Sequence, residues 1–173
     1  MRVTHRLAWL CAVALVGAAH AQSSAAPEVA KTVDAFHGQW ALTGTDAEPG
    51  ASAVRLTITI DCDVVALGAA VNCLIAGELP GVGPIAAAAV VGYSPDKGLV
   101  RWMEISSTGE YHDHKGKWRE HEIEFEPLAY IVGGQKATEY LHIDFPSAGR
   151  LVLHAVTETA GGTSTLDCTG TRT

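Results

Sequence analysis

Positive charge is scarce in this sequence: 12 Lys and Arg stand against 19 Asp and Glu, a formal net charge of −7. A phosphate backbone or an anionic membrane surface needs a basic field, so neither is an expected partner. Long apolar runs are also missing. The longest, residues 7–19, falls short of the roughly 20 residues that a bilayer-spanning helix needs. Nucleophile motifs are absent: there is no G-x-S-x-G and no cysteine set beside a helical pattern. Gly81, Gly83, Gly133 and Gly134 precede no helix-like segment, which removes a phosphate-binding loop. After Val33 no stretch repeats its apolar residues with helical period.

What is present begins with a leader. Arg2, His5 and Arg6 precede the apolar residues 7–19, and Ala19-His20-Ala21 closes the segment. That is the three-part layout of a secretory signal peptide, cleaved near Ala21. Cys11 lies inside the apolar run, not at its end, so lipidation is not expected. Removing 1–21 takes Arg2 and Arg6 and no acid, leaving 10 basic against 19 acidic residues, or −9. The expected product is periplasmic or secreted, with no transmembrane anchor, and long enough for one domain with a real core. Residues 22–33, rich in Ala and Ser, read as a flexible segment that could end in a short helical turn, and 34–173 as the domain.

Cleavage leaves Cys62, Cys73 and Cys168. An oxidising compartment permits one bridge among three cysteines. Cys62 and Cys73 flank ten residues and can meet across a hairpin, which favours that pair. The alternatives join Cys168 to one of them, or leave three buried thiols.

Along the domain a period of two dominates. Val54, Leu56, Ile58 and Ile60 alternate with Arg55, Thr57, Thr59 and Asp61, the pattern of a half-buried strand. Similar segments occupy 70–79, 85–94, 99–107, 110–118, 122–127, 138–145, 150–157 and 163–171, with another around Trp40. Turn residues separate them, among them Pro80-Gly81, Pro95-Asp96, Thr108-Gly109, Gly133-Gly134 and Gly161-Gly162. Many short strands with short sequential connections predict an all-β fold: a single antiparallel up-and-down barrel of about 8–10 strands. Closure would also remove the edges that an open sheet exposes.

Gly38-Gln39-Trp40 resembles the G-x-W signature of lipocalins and other calycin-type barrels, in which the Trp plugs one end. Gly116-Lys117-Trp118 repeats it. Gly92-Tyr93-Ser94-Pro95-Asp96, followed by Gly98, Arg101 and Trp102, resembles the G-Y-D-P…G-x-Y…W hairpin of a bacterial family of uncharacterised calycin-like (lipocalin-like) β-barrel domains. Ser107-Thr108-Gly109, Gly116-Lys117-Trp118 and Ile123-Glu124-Phe125 fall where that family has its S-x-G…G-x-W…L-x-F run. The pattern departs at Arg119-Glu120, where the family has an Asp-Gly type of turn. The resemblance implies a barrel and no particular activity.

The candidate chemistry centres on Tyr111-His112-Asp113-His114. Residues two apart on a strand share a face, so His112 and His114 point the same way. With a third ligand from a neighbouring strand they form a weak candidate metal site; Arg101, Glu104, His121 and Tyr140 are the neighbours considered. The bland reading is a polar patch in a cavity or on a solvated face. Register decides the setting. A two-residue turn at Thr108-Gly109 places His112 and His114 opposite Ile105 and Met103; a three-residue loop places them opposite Glu104 and Trp102. Arg101 stands among apolar residues and needs an acidic partner, internal or on a ligand. Glu122, Glu124 and Glu126 alternate with Ile123 and Phe125 and read as a solvated face.

A closed barrel of this size can hold one small molecule. The expected function is binding of a small apolar or amphipathic ligand, with Arg101, Trp102, His112, His114 and Tyr140 as candidate contacts. Haem is one such ligand, though no residue identifies itself as its axial histidine, and the cofactor stays unknown. The alternatives are an envelope interaction domain with a filled barrel, a cavity-based enzyme, or a metal-binding protein.

Overall fold

The computed structural model describes residues 26–79 and 83–173. The expected signal peptide, its cleavage position at Ala21, Cys11, and the Pro80-Gly81 turn lie outside the described residues.

Among the described residues eleven strands follow one α-helix in chain order: α1 (Pro27–Phe36), β1 (Gly38–Ala47), β2 (Val54–Val65), β3 (Ala70–Leu79), β4 (Gly83–Ser94), β5 (Leu99–Ser106), β6 (Tyr111–Arg119), β7 (Glu122–Phe125), β8 (Leu128–Val132), β9 (Gln135–Ser147), β10 (Arg150–Thr159) and β11 (Gly162–Arg172). All pairings are antiparallel, and β11 returns to β1 while β10 joins β9, so the sheet closes. β7 and β8 are two halves of one stave. Both pair with β9, β7 at Glu122↔Asp144 and β8 at Leu128↔Glu139, with Pro127 at the break. Proline has no N–H for the ladder, which explains the interruption there. The barrel therefore has ten staves in up-and-down order, as the period-two pattern predicts.

Alternation sends one face of each strand inward. Leu42, Leu56, Ile60, Val71, Val91, Val100, Ile123, Ile143 and Leu151 are all buried. Two staves approach closely at Gly44: a Cβ there would sit 2.0 Å from the Asp167 carbonyl oxygen. Only glycine fits that position.

Residues 27–36 form a packed ten-residue helix, longer than the short helical turn expected at the end of the flexible segment 22–33. The signal was short but present: Val29, Val33 and Phe36 recur at i, i+4 and i+7, and all three are buried. Pro27 at the first position and Glu28 in the first turn suit a helix start. Ten residues are too few for a stable isolated helix, so its contacts with the barrel hold it. Both G-x-W tryptophans reach it. The Trp40 indole N–H donates to the Phe36 carbonyl at 2.8 Å, and the Trp118 N–H donates to Thr32 Oγ1 at 2.9 Å. The Arg172 guanidinium donates to the Asp34 and Ala35 carbonyls, satisfying groups that a helix C-terminus leaves free. Lys31 donates to the carbonyl of Glu120, in the turn where an Asp-Gly pair was absent; Glu120 itself takes a left-handed φ of 43°.

Cys62 and Cys73 are direct partners across β2 and β3 and form a disulfide. Cys168 is a buried free thiol on β11, and burial first, then Asp167 and Asp46, push its pKa up to about 11. It is a core residue without nucleophilic character at neutral pH.

Candidate functional site

Helix α1 and an aromatic layer fill one end of the barrel. Phe36 meets Trp102 and Phe145 edge-on, with centroids 5.5 and 5.2 Å apart. Beyond Trp102, toward the end away from the helix, the interior opens into a cavity of about 420 Å³. That volume lies within the range of about 300–1,000 Å³ typical of small-molecule sites. Its walls are aliphatic: Ile58, Ile60 and Ile75 on one side, Leu141, Leu153 and Leu166 on another. Glu48, Ser107, Thr108 and Glu110, which end strands or occupy loops, surround its mouth.

The β5–β6 loop determines what the cavity contains. The Ser106 N–H donates to the Glu110 carbonyl at 3.0 Å, leaving Ser107, Thr108 and Gly109 as a three-residue loop. Gly109 takes a φ of 87°, as such loops require. His112 consequently lies opposite Glu104 and His114 opposite Trp102, and all four line the cavity.

A third polar group meets the two histidines from β9. Glu139 Oε2 lies 3.1 Å from His112 Nδ1 and 3.6 Å from His114 Nε2. These are ion-pair distances without hydrogen-bond alignment: Glu139 Oε2, His112 Nε2 and His114 Nδ1 are all buried and lack a hydrogen-bond partner. A buried polar group left without any partner costs about 1–3 kcal/mol, so three together on a cavity wall mark a place where hydrogen bonding is completed from within the cavity. The rings are held in place. His112 packs on Tyr130 at 4.4 Å and His114 on Phe125 at 5.7 Å, with 5.5 Å between the two imidazoles.

Their electrostatics diverge. Burial lowers the pKa of His114 below its usual value and outweighs the Glu139 carboxylate. Burial also opposes protonation of His112, but Glu139, Glu104 and Glu110 overcome it and raise the pKa. One ring is therefore biased toward the neutral form and its neighbour toward the charged one. Burial raises the pKa of Glu104 despite its hydrogen bond from the Trp102 indole N–H at 2.8 Å.

Of the five candidate contacts, Trp102, His112 and His114 line the cavity; Arg101 and Tyr140 do not. Arg101 is out of phase with Val100 and Trp102, and it grips Asp113 through Nη2 at 2.6 and 2.7 Å. Tyr140 is out of phase with Glu139 and Leu141 and is exposed. His121 also lies outside, exposed and 3.3 Å from Asp144. Glu139 was not among the sequence candidates. Its signal was legible: it falls in phase with Ala137, Leu141 and Ile143, so a carboxylate interrupts an otherwise apolar inner face.

Comparison with solved structures places this architecture among calycin-like barrels. The S-type phycobiliprotein lyase CPES from Guillardia theta superposes with a TM-score of 0.57 at 13% identity, covering 80% of this chain and 89% of that one. Rv2717c from M. tuberculosis superposes with a TM-score of 0.62 at 15% identity, covering 86% and 98%. At these identities the likeness is one of fold. Neither a protein-family model nor a curated protein matches the sequence. The chain is a closed, ten-stave, calycin-like β-barrel with a helix at one end and a cavity at the other.

Proposed function

We propose that this protein is an exported carrier that holds one small amphipathic molecule in its barrel. The cavity carries this reading: about 420 Å³, aliphatic along most of its wall, with buried unpartnered polar groups on His112, His114 and Glu139. An apolar body would lie against the isoleucines and leucines. A polar head with a hydrogen-bond donor would meet Glu139 and Glu104. Among the described residues no Lys or Arg lines the cavity, so an anionic head is disfavoured. The leader-like residues 1–21 and the Cys62–Cys73 bridge support export, since such a bridge persists in oxidising compartments.

The test uses the neutral fluorophore N-phenyl-1-naphthylamine with the mature chain and with Ala155→Trp, which places an indole in the cavity. Wild type should bind one equivalent and the variant at least about tenfold more weakly. Equal binding by both, or none by wild type, overturns the reading. For export, intact mass of the protein from the host should correspond to a chain starting at Gln22; retention of residues 1–21 in the envelope fraction overturns that part.

A second reading, an envelope interaction domain, draws on an exposed apolar row across β3, β5 and β6: Leu74, Ile105 and Tyr111. An open cavity is not needed for that role, which makes it the weaker of the two.

A further inference from the structure

We propose that His112, His114 and Glu139 bind a divalent transition-metal ion of the zinc type, deep in the cavity and with a coordination position open to it. This goes beyond the carrier reading and does not depend on it.

Donor chemistry comes first. Two imidazoles and one carboxylate form a borderline nitrogen and oxygen set, which suits Zn²⁺, Co²⁺ or Ni²⁺ better than the all-oxygen preference of Ca²⁺ or Mg²⁺. The three ligand atoms lie within 4.8 Å of one another. The separations from Glu139 Oε2 to His112 Nδ1 and His114 Nε2 are 3.1 and 3.6 Å. Ligands about 2.0–2.1 Å from a tetrahedral ion stand about 3.3 Å apart, between those two values.

The fold presents these groups ready for an ion. His112 and His114 project from alternate positions of one strand, and the β9 stave brings Glu139 to them across the inner face. Packing on Tyr130 and Phe125 limits how far either ring can turn. The Glu139 oxygen nearest both rings is buried without a hydrogen-bond partner. Among the described residues the remaining ionisable groups of the cavity are Glu48, Glu104 and Glu110, so the local field attracts a cation. With three protein ligands, the fourth position faces the cavity, as in open zinc sites.

The experiment uses the untagged mature chain, stripped with chelator and dialysed. Co²⁺ is titrated by visible absorption and Zn²⁺ by calorimetry. One equivalent of each should bind, with the d–d bands of four- or five-coordinate Co²⁺. His114→Asn and Glu139→Gln, each verified as folded by circular dichroism, should weaken Zn²⁺ binding at least about tenfold. His154→Ala, which changes an exposed histidine on the outer face, should leave it unchanged. Absence of one-to-one binding overturns the proposal, as does loss in His154→Ala with retention in His114→Asn. Fluorophore binding without Co²⁺ binding sinks the metal site alone. Co²⁺ binding without fluorophore binding sinks the carrier reading alone.

Discussion

Replacing Phe36 by alanine should lower stability by about 3–5 kcal/mol, the usual cost of removing a buried phenyl ring. The ring is only 3% exposed. It also makes two edge-to-face contacts, with Trp102 at an interplanar angle of 84° and with Phe145 at 86°. Each contact adds about 0.5–1.5 kcal/mol beyond area burial. Phe36→Leu keeps most of the volume and loses only those contacts, so it should cost about 1–3 kcal/mol. A domain of this size is stable by about 5–15 kcal/mol, so the alanine variant spends a large share of the total. At about 2–4 °C per kcal/mol, its melting temperature should fall by about 6–20 °C. Calorimetry and urea titration measure these differences. Hydrogen exchange should show α1 losing protection first, because ten helical residues cannot hold themselves without their anchor. An alanine cost below about 1 kcal/mol, or equal costs for alanine and leucine, would refute the view that Phe36 locks the helix onto the barrel.

Two further outcomes follow from particular contacts. Cys62→Ala with Cys73→Ala should cost about 3 kcal/mol, from the loop entropy released by opening a crosslink of sequence separation 11. Adding reductant to wild type should shift its urea midpoint to match, and an unmoved midpoint would contradict a stabilising bridge. Glu104→Gln tests the sign of a buried carboxylate. Burial raises the pKa of Glu104 above its usual 4.5, so the folded state binds the proton more tightly than the unfolded one. Its contribution therefore declines as pH rises from the ordinary carboxylate value through the raised one. Glutamine does not titrate and can still accept from the Trp102 N–H. The unfolding free energy of the variant minus that of wild type should therefore rise with pH across that window; a difference that stays constant or falls would show that Glu104 is not held in its neutral form.

Period two along residues 54–171 was enough to read every strand but β8, together with an inward apolar face, because each strand's burial is a local property of alternation; the short β8 (Leu128–Val132), which completes the stave begun by β7, was not read. The bridge between Cys62 and Cys73 was favoured over its alternatives because the two flank ten residues able to form a hairpin, and the structure pairs them directly across β2 and β3. The helix was read only as a short turn because its signal is three apolar residues, and its stability comes from contacts with Trp40, Trp118 and Arg172, of which the last two lie far along the chain. The site was half legible. His112 and His114 share a face by spacing alone, yet the placement of the β5–β6 loop chose Glu104 and Trp102 as their partners.

By itself, then, the sequence determined that this is an acidic, all-β domain with an apolar interior and two histidines on one strand face. Only closure of the barrel brought Glu139 of β9 within 3.1 Å of His112, 27 residues earlier. Only the packing of α1 against Trp40 and Trp118 decided which end of the barrel is filled. Both facts depend on contacts between residues distant in the chain, and local periodicity carries no information about such contacts.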